Sequence, residues 1–318
     1  MAETTGFQTA LNISASNKKE FEIVKSPKQS RDLGDVKEFL RMRIRRHGST
    51  VEIDQCAYLD KVLDRCGMAD CKPAPTPLPE KYIPMKYEGA VDTARRTEFQ
   101  RIIGSLLYIM LGTRPDIAFA VTKLAQYSAN PSQDHINHAK YICKYLQGTR
   151  GYTLVYDGAG REGLVTYCDS DWGTDMNDRH SQTGFMLKLA GGVISWISRR
   201  QQSVARSSKD AEYMALSDCA AQVVWVRNLL IELGYKISVP LPICDDNQGA
   251  IFVASNPVTE RRTKHIDIRY HFVRELIEEG KIEVLYIPGE HNPADMFTKS
   301  LARVKFEYFR RMLGLKFA

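Results

Sequence analysis

The sequence predicts an α/β fold in two parts: a mostly helical first part, then a five-stranded mixed sheet with flanking helices. Three observations predict it. From Tyr152 onward, short β-branched and aromatic runs give way to a long helical pattern, another short run, more helical patterns and a last short run. Before Tyr152, apolar residues recur mostly at three- and four-residue steps. Lys72-Pro73-Ala74-Pro75-Thr76-Pro77-Leu78-Pro79 forbids helix and interrupts that first part with an extended segment.

Residues 1–30 are polar and poorly patterned. From Asp32 the pattern firms. Val36, Phe39, Leu40 and Ile44 sit near helix or strand spacing, and Arg41, Arg43, Arg45 and Arg46 share the stretch. Val51-Glu52-Ile53 reads as a short strand. Tyr58, Leu59, Val62 and Leu63 read as an amphipathic helix that Gly67 stops. The Pro-rich segment reads as a linker running to about Asp92. Two or three helices follow. One covers about 98–111. Another begins after Thr113-Arg114-Pro115-Asp116, with Pro115 at an early helical position. The third follows Asn130-Pro131-Ser132, with Ser132 as N-cap. Its stripe is Ile136, Ala139, Cys143 and Leu146, and Gly148 ends it. His135 and His138 on this helix lack a third His, so they read as surface or satisfied core, not as metal ligands.

In the second half, strands are expected at 152–156 and 164–168, then a hairpin of 183–189 and 193–197 across Ala190-Gly191-Gly192. A long helix covers about 208–233, with Ser207 and Asp210 resembling a capping box and Gly234 suiting the position after its end. A strand at 241–244, helices at 247–254 and 266–279, a strand at 282–287 and two short helices complete the chain. The expected organisation is a poorly patterned segment 1–31, a unit 32–151 and an α/β unit 152–318.

Acids fall at matching places in this plan. The strand at 164–168 runs into Tyr167-Cys168-Asp169-Ser170-Asp171-Trp172. A carboxylate at the end of a central strand is costly to desolvate unless water, a partner or a metal meets it. Glu212 lies on the apolar stripe of the long helix with Ala215, Leu216, Cys219 and Val223; it is either a dipole-favoured acid or one facing a metal. Asp245 and Asp246 end the strand before Asn247, and one of them can simply cap the next helix. Asp295, after Asn292-Pro293, is by itself a helix-start acid. Together, four carboxylates converging on one sheet edge would hold two divalent cations, an arrangement suited to cutting phosphodiesters.

The chain has 318 residues, 43% hydrophobic and 26% charged, so it is globular and long enough for two domains. Residues 1–153 carry 23 Lys and Arg against 17 Asp and Glu, and the remainder is balanced. A basic first half suits a polyanion, and equally an ordinary solvated surface. Seven Cys at scattered spacings make no zinc set and read as reduced, mostly buried thiols. With no signal peptide and no run of 18 apolar residues, an intracellular chain is expected, cytoplasmic or nuclear, with no membrane partner.

From about Asp32 to its end the sequence resembles the C-terminal part of copia-type retrotransposon Pol polyproteins. The stretches that carry this are Asp32-Leu33-Gly34, Ile103-Gly104-Ser105-Leu106-Leu107-Tyr108, Thr113-Arg114-Pro115-Asp116-Ile117-Ala118 and Tyr167-Cys168-Asp169-Ser170-Asp171-Trp172. Ser207-Ser208-Lys209-Asp210-Ala211-Glu212-Tyr213, Arg262-Thr263-Lys264-His265-Ile266-Asp267 and Asn292-Pro293-Ala294-Asp295 continue it in order.

The resemblance implies a distal reverse-transcriptase remnant, thumb and connection, over 32–151, and a ribonuclease H-like domain over 152–318. It implies catalytic and metal-binding roles for Asp169, Glu212, Asp246 and Asp295, with Asp246 preferred over Asp245 because Asp246-Asn247-Gln248 resembles the family's Asp-Ser-Gln. Two Mg²⁺ ions, or Mn²⁺, are the implied cofactors. The implied substrate is the RNA strand of an RNA–DNA hybrid, with Arg199, Arg200, Arg206, Arg261, Arg262 and Lys264 as candidate phosphate contacts. The polymerase's paired-aspartate stretch is absent; Tyr58-Leu59-Asp60-Lys61 lacks the second acid, so no polymerase activity is expected. An upstream polymerase segment acting in trans is a further implied partner. A catalytically inactive nucleic-acid-binding relic is the competing expectation. His291 stands closer to Asp295 than the family's mobile His and is left without a role.

Overall fold

The computed structural model describes residues 36–158, 163–173, 177–205, 207–256 and 264–317, with side chains from 268 in the last stretch. Two five-stranded sheets share one hydrophobic core. The first is antiparallel, in the spatial order β1 (Glu38–Phe39), β2 (Met42–His47), β3 (Thr50–Asp54), β4 (Tyr152–Asp157) and β10 (Leu315–Phe317). Met42 and Ile44 are buried and Arg43 exposed, a period of two that settles this stretch as strand. Its arginines make cross-strand pairs: Arg43 Nε lies 3.0 Å from Asp54 Oδ2, and Arg45 Nη2 lies 2.9 Å from Glu52 Oε2.

The run at Tyr152 departs from the sequence expectation. It becomes β4 and pairs with β3, from Thr50↔Asp157 to Ile53↔Leu154, so it extends the first sheet and not the second. The C-terminal β10 pairs on its other side, Leu315↔Leu154. Pairing partners about a hundred residues away leave no mark on local periodicity.

Helices α1 (Cys56–Arg65), α2 (Thr93–Gly112), α3 (Ala118–Ala125) and α4 (Gln133–Gly148) complete the first part. Helix α2 starts five residues earlier than expected because the Asp92 side chain caps it, accepting from Arg95 N at 3.0 Å. Ser132 caps α4 as expected. His135 closes the reciprocal bond, its Nδ1 accepting from Ser132 N at 3.0 Å; this His is buried core, with its Nε2 left without a hydrogen-bond partner among the described residues. The Pro-rich segment is no free linker. Ala74, Thr76, Pro77 and Leu78 are buried, and Ala74 N donates to Lys144 O on α4.

The second sheet has the spatial order β7 (Gly192–Arg200), β6 (Gln182–Leu189), β5 (Val165–Asp171), β8 (Leu241–Asp245) and β9 (Ile282–Tyr286). The first two pairings are antiparallel and the last two parallel. This is the expected mixed sheet, with flanking helices α5 (Ser208–Glu232), α6 (Gln248–Ser255) and α7 (Lys264–Glu278), and α8 (Arg303–Met312) near the chain's end. The Ser207 hydroxyl caps α5 by accepting from Asp210 N at 3.1 Å. Helix α5 is long and apolar enough to span a bilayer by composition; here its apolar face packs on β5 and α7 within the core.

Candidate active site at the ends of the central strands

Strands β5 and β8 run parallel with Thr166 beside Ile243 and Tyr167 beside Cys244. Continued to the strand ends, that register sets Cys168 beside Asp245 and Asp169 beside Asp246. Side chains alternate between faces, so each pair shares a face and the two pairs lie on opposite faces. The contacts agree. Cys168 Sγ donates to Asp245 Oδ2 at 3.3 Å, while oxygens of Asp169 and Asp246 meet one from Glu212, all within 4.8 Å of one another. Glu212 reaches this point from the second turn of α5, with Oε2 buried and without a hydrogen-bond partner. A buried carboxylate oxygen with nothing to accept from is expensive. A divalent cation meeting three hard oxygens would satisfy it, so the residues fit such an ion.

Close backbone approaches shape the site. A Cβ at Gly184, opposite Asp169 on β6, would come within 2.8 Å of Phe297 Cβ; the 3₁₀ turn Pro293–Phe297 can therefore lie against the sheet there. A Cβ at Gly289 would lie 2.6 Å from Asp246 Oδ2. Asn292 ties the turn down: its Nδ2 donates to Cys168 O at 2.8 Å and its Oδ1 accepts from Ala294 N.

Asp295 stands apart from the three-acid group. Its Oδ1 takes Lys299 Nζ at 2.7 Å and its Oδ2 takes Lys305 Nζ. Lys299 also reaches Asp169 Oδ2 at 3.3 Å, and the Thr298 hydroxyl donates to that same oxygen. Asp245 lies on the opposite face, its Oδ1 accepting from Asn247 N at 2.8 Å, and the cap of α6 is Asn247 itself.

Burial dominates the electrostatics. It pushes the Asp169 carboxyl up to about 8, against the pull of Lys299, with the Asp295 charge adding to the rise. Glu212 is raised well above the carboxylate range by burial and then by the charges of Asp169, Asp245 and Asp246. Burial likewise raises Asp246, and raises Asp245 to about 7. Lys299 is raised because the charges of Asp169 and Asp295 outweigh its own desolvation.

A stability prediction follows from Asp169. Its folded value near 8 lies above its ordinary 3.8, so the folded state holds the proton that the unfolded state releases between those values. That contribution is present below about pH 4 and lost as pH rises through about 8. The metal-free chain is expected to gain more in melting temperature from millimolar Mg²⁺ at pH 8 than at pH 5. Equal gains at both, read by differential scanning fluorimetry, would contradict it.

Of the six basic residues expected at nucleic acid, Arg199 and Arg200 lie at the end of β7. Arg199 pairs with Asp218 at 2.6 Å and Arg200 pairs with Asp178. Arg206, Arg261 and Arg262 lie outside the described residues, as does the Lys264 side chain at the start of α7. His291 is exposed, 3.6 Å from Glu290. Sequence reasoning missed Thr298, Lys299 and Lys305. Lys299 is four residues after Asp295, a spacing that signals an ion pair; Lys305 gave no such signal.

No protein-family model matches the chain. It is 36% identical over 293 residues to the retrovirus-related Pol polyprotein from transposon TNT 1-94 of Nicotiana tabacum, covering 90% of this chain and 22% of that one. It is 35% identical over 281 residues to the Pol polyprotein from transposon RE2 of Arabidopsis thaliana, covering 88% and 19%. The chain thus spans about a fifth of the length of these curated relatives. Among solved structures, LC11-RNase H1 isolated from compost is similar over 43% of this chain and 92% of its own, at 16% identity and a TM-score of 0.34. At that score the fold reading rests on strand order and register.

A mixed sheet ordered β7-β6-β5-β8-β9, with acids gathered where β5 and β8 end, defines an RNase H-like domain. Over 88–90% of its length the chain is similar to retrotransposon Pol polyproteins, which supports a C-terminal retrotransposon Pol fragment.

Proposed function

We propose that this chain hydrolyses the RNA strand of RNA–DNA hybrids with divalent metal, and that Asp169, Glu212, Asp246 and Asp295 carry the activity. The observation that supports this most is the convergence of the Asp169, Glu212 and Asp246 carboxylates, with Glu212 Oε2 buried and unpartnered. Asp169, Glu212 and Asp246 would hold Mg²⁺ or Mn²⁺, which supplies polarisation of the scissile phosphate and an acidified water. Asp169 would be one of the residues holding the ion, and Thr298 fixes its orientation by donating to one oxygen. The buried floor beneath the acids, Cys168 and Asp245, holds the two strand ends in register. Hybrid is the substrate class because 2′-hydroxyls across a wide minor groove mark the RNA strand, and because the chain's relatives are Pol polyproteins. DNA synthesis forms no part of this reading, since the sequence carries no Tyr-x-Asp-Asp stretch.

The test is cleavage of an end-labelled RNA annealed to DNA by the full chain in Mg²⁺. Shortened RNA products are expected from the hybrid, with single-stranded RNA and duplex DNA left intact and EDTA abolishing the reaction. Tight hybrid binding without any cleavage would instead favour the inactive-relic reading.

A further inference from the structure

The two lysines on Asp295 lie where a second metal ion would need an open carboxylate. Four acids line the site, Asp169, Glu212, Asp246 and Asp295, against two ammonium groups, Lys299 and Lys305. When all are ionised the formal balance is two negative charges, which one divalent ion neutralises. Geometry agrees with the charge count. A Mg²⁺ shared by Asp169 and Asp295 would sit about 2.0–2.1 Å from an oxygen of each. Lys299 Nζ already stands 2.7 Å from Asp295 Oδ1 and 3.3 Å from Asp169 Oδ2. A cation cannot take that place while the ammonium holds it, by contact and by like-charge repulsion.

The two lysines are not equivalent. Lys305, on α8, also donates to Gly289 O at 3.2 Å and lies 5.2 Å from the Phe309 ring centroid, so it is anchored. Lys299 pairs with the two acids alone among the described residues, without such an anchor.

We propose that the resting site takes one divalent ion, on Asp169, Glu212 and Asp246, and that a second enters only by displacing the Lys299 ammonium from between Asp169 and Asp295. This rests on the metal-assisted reading above and adds to it a built-in competitor for the second ion. Lys299 is a positioning residue in this scheme: it regulates occupancy and holds Asp295 toward Asp169 until the ion arrives.

The test is Mn²⁺ titration of the full chain without nucleic acid, counting free ion by its paramagnetic resonance signal. One Mn²⁺ per chain is expected, with the second at least tenfold weaker. Lys299→Met is expected to tighten the second ion by about tenfold or more, and Lys299→Arg to leave it weak. Asp246→Asn is expected to remove the first ion. Two ions of comparable affinity in the unaltered chain would overturn the proposal. So would an unchanged second affinity in folded Lys299→Met while Asp246→Asn still loses the first ion. If Asp246→Asn bound Mn²⁺ like the unaltered chain, the carboxylate reading itself would fail, and the proposal with it. Should Lys299→Met not fold, Lys299→Gln takes its place, since it too removes the ammonium from between Asp169 and Asp295; an unchanged second affinity there would also overturn the proposal.

Discussion

Asp169→Asn is expected to lower hybrid cleavage by at least about 10³-fold and to leave the chain folded. The exchange keeps the shape of the side chain and removes the charge shared with Glu212 and Asp246. Charge stabilisation at such a site is worth several kcal/mol, and about 4 kcal/mol corresponds to roughly 10³ in rate. The fold should hold because the same step relieves repulsion among buried acids whose values are already raised. Asp245→Asn is the matched control. Asp245 faces the other side of the sheet, and an amide there can still accept from Asn247 N. Its cleavage should stay within about tenfold of the unaltered chain, a barrier change under about 1.4 kcal/mol. Single-turnover rates on labelled hybrid, with melting temperatures alongside, decide the matter. A folded Asp169→Asn chain cutting at more than a tenth of the original rate would remove Asp169 from the site.

Why Lys305 was not reachable from sequence is a matter of range; the preference for Asp246 over Asp245 rested on the resemblance of Asp246-Asn247-Gln248 to Asp-Ser-Gln. The period of two along β5 and β8 sorts neighbouring residues onto faces, and the stripe of α5 places Glu212 inward. These are local rules, and they held: the caps at Ser132 and Ser207, the hairpin and the mixed sheet all form as the pattern indicated. What failed involves partners far along the chain. Tyr152–Asp157 has a strand's composition, but only the presence of β3 on one flank and β10 on the other decides its sheet. The Pro-rich segment is extended, as proline dictates, yet whether it hangs free or packs on α4 depends on a surface built 70 residues later. Lys305 meets Asp295 only because the 3₁₀ turn and α8 fold back on each other.

Arg114→Met is expected to destabilise the chain by about 3–5 kcal/mol, the usual cost of leaving half of a buried ion pair behind. Arg114 and Asp116 are each about 2% exposed, and neither touches the site acids. The guanidinium makes a two-pronged bond to Asp116, Nε–Oδ1 at 2.9 Å and Nη2–Oδ2 at 2.8 Å, and two more to the oxygens of Thr149. Tyr145 donates to the same carboxylate at 2.6 Å, and Arg310 on α8 donates to the hydroxyls of Tyr145 and Tyr152. One network thus joins the turn before α3, the end of α4, the start of β4 and the C-terminal helix. Burial opposes the charge on Asp116, yet its carboxyl is held below the usual range, chiefly by the Arg114 charge. With Arg114 gone, Asp116 keeps only the tyrosine hydroxyl and a more distant Arg310. At about 2 °C per kcal/mol for a chain of this size, the melting temperature should fall by roughly 6–10 °C. The double variant Arg114→Met with Asp116→Leu should recover part of the loss, because an apolar pair of similar volume leaves no orphaned charge. Denaturant unfolding of the three chains measures this. A single variant within about 1 kcal/mol of the original would mean that the network does not fasten the C-terminal helix to the first sheet.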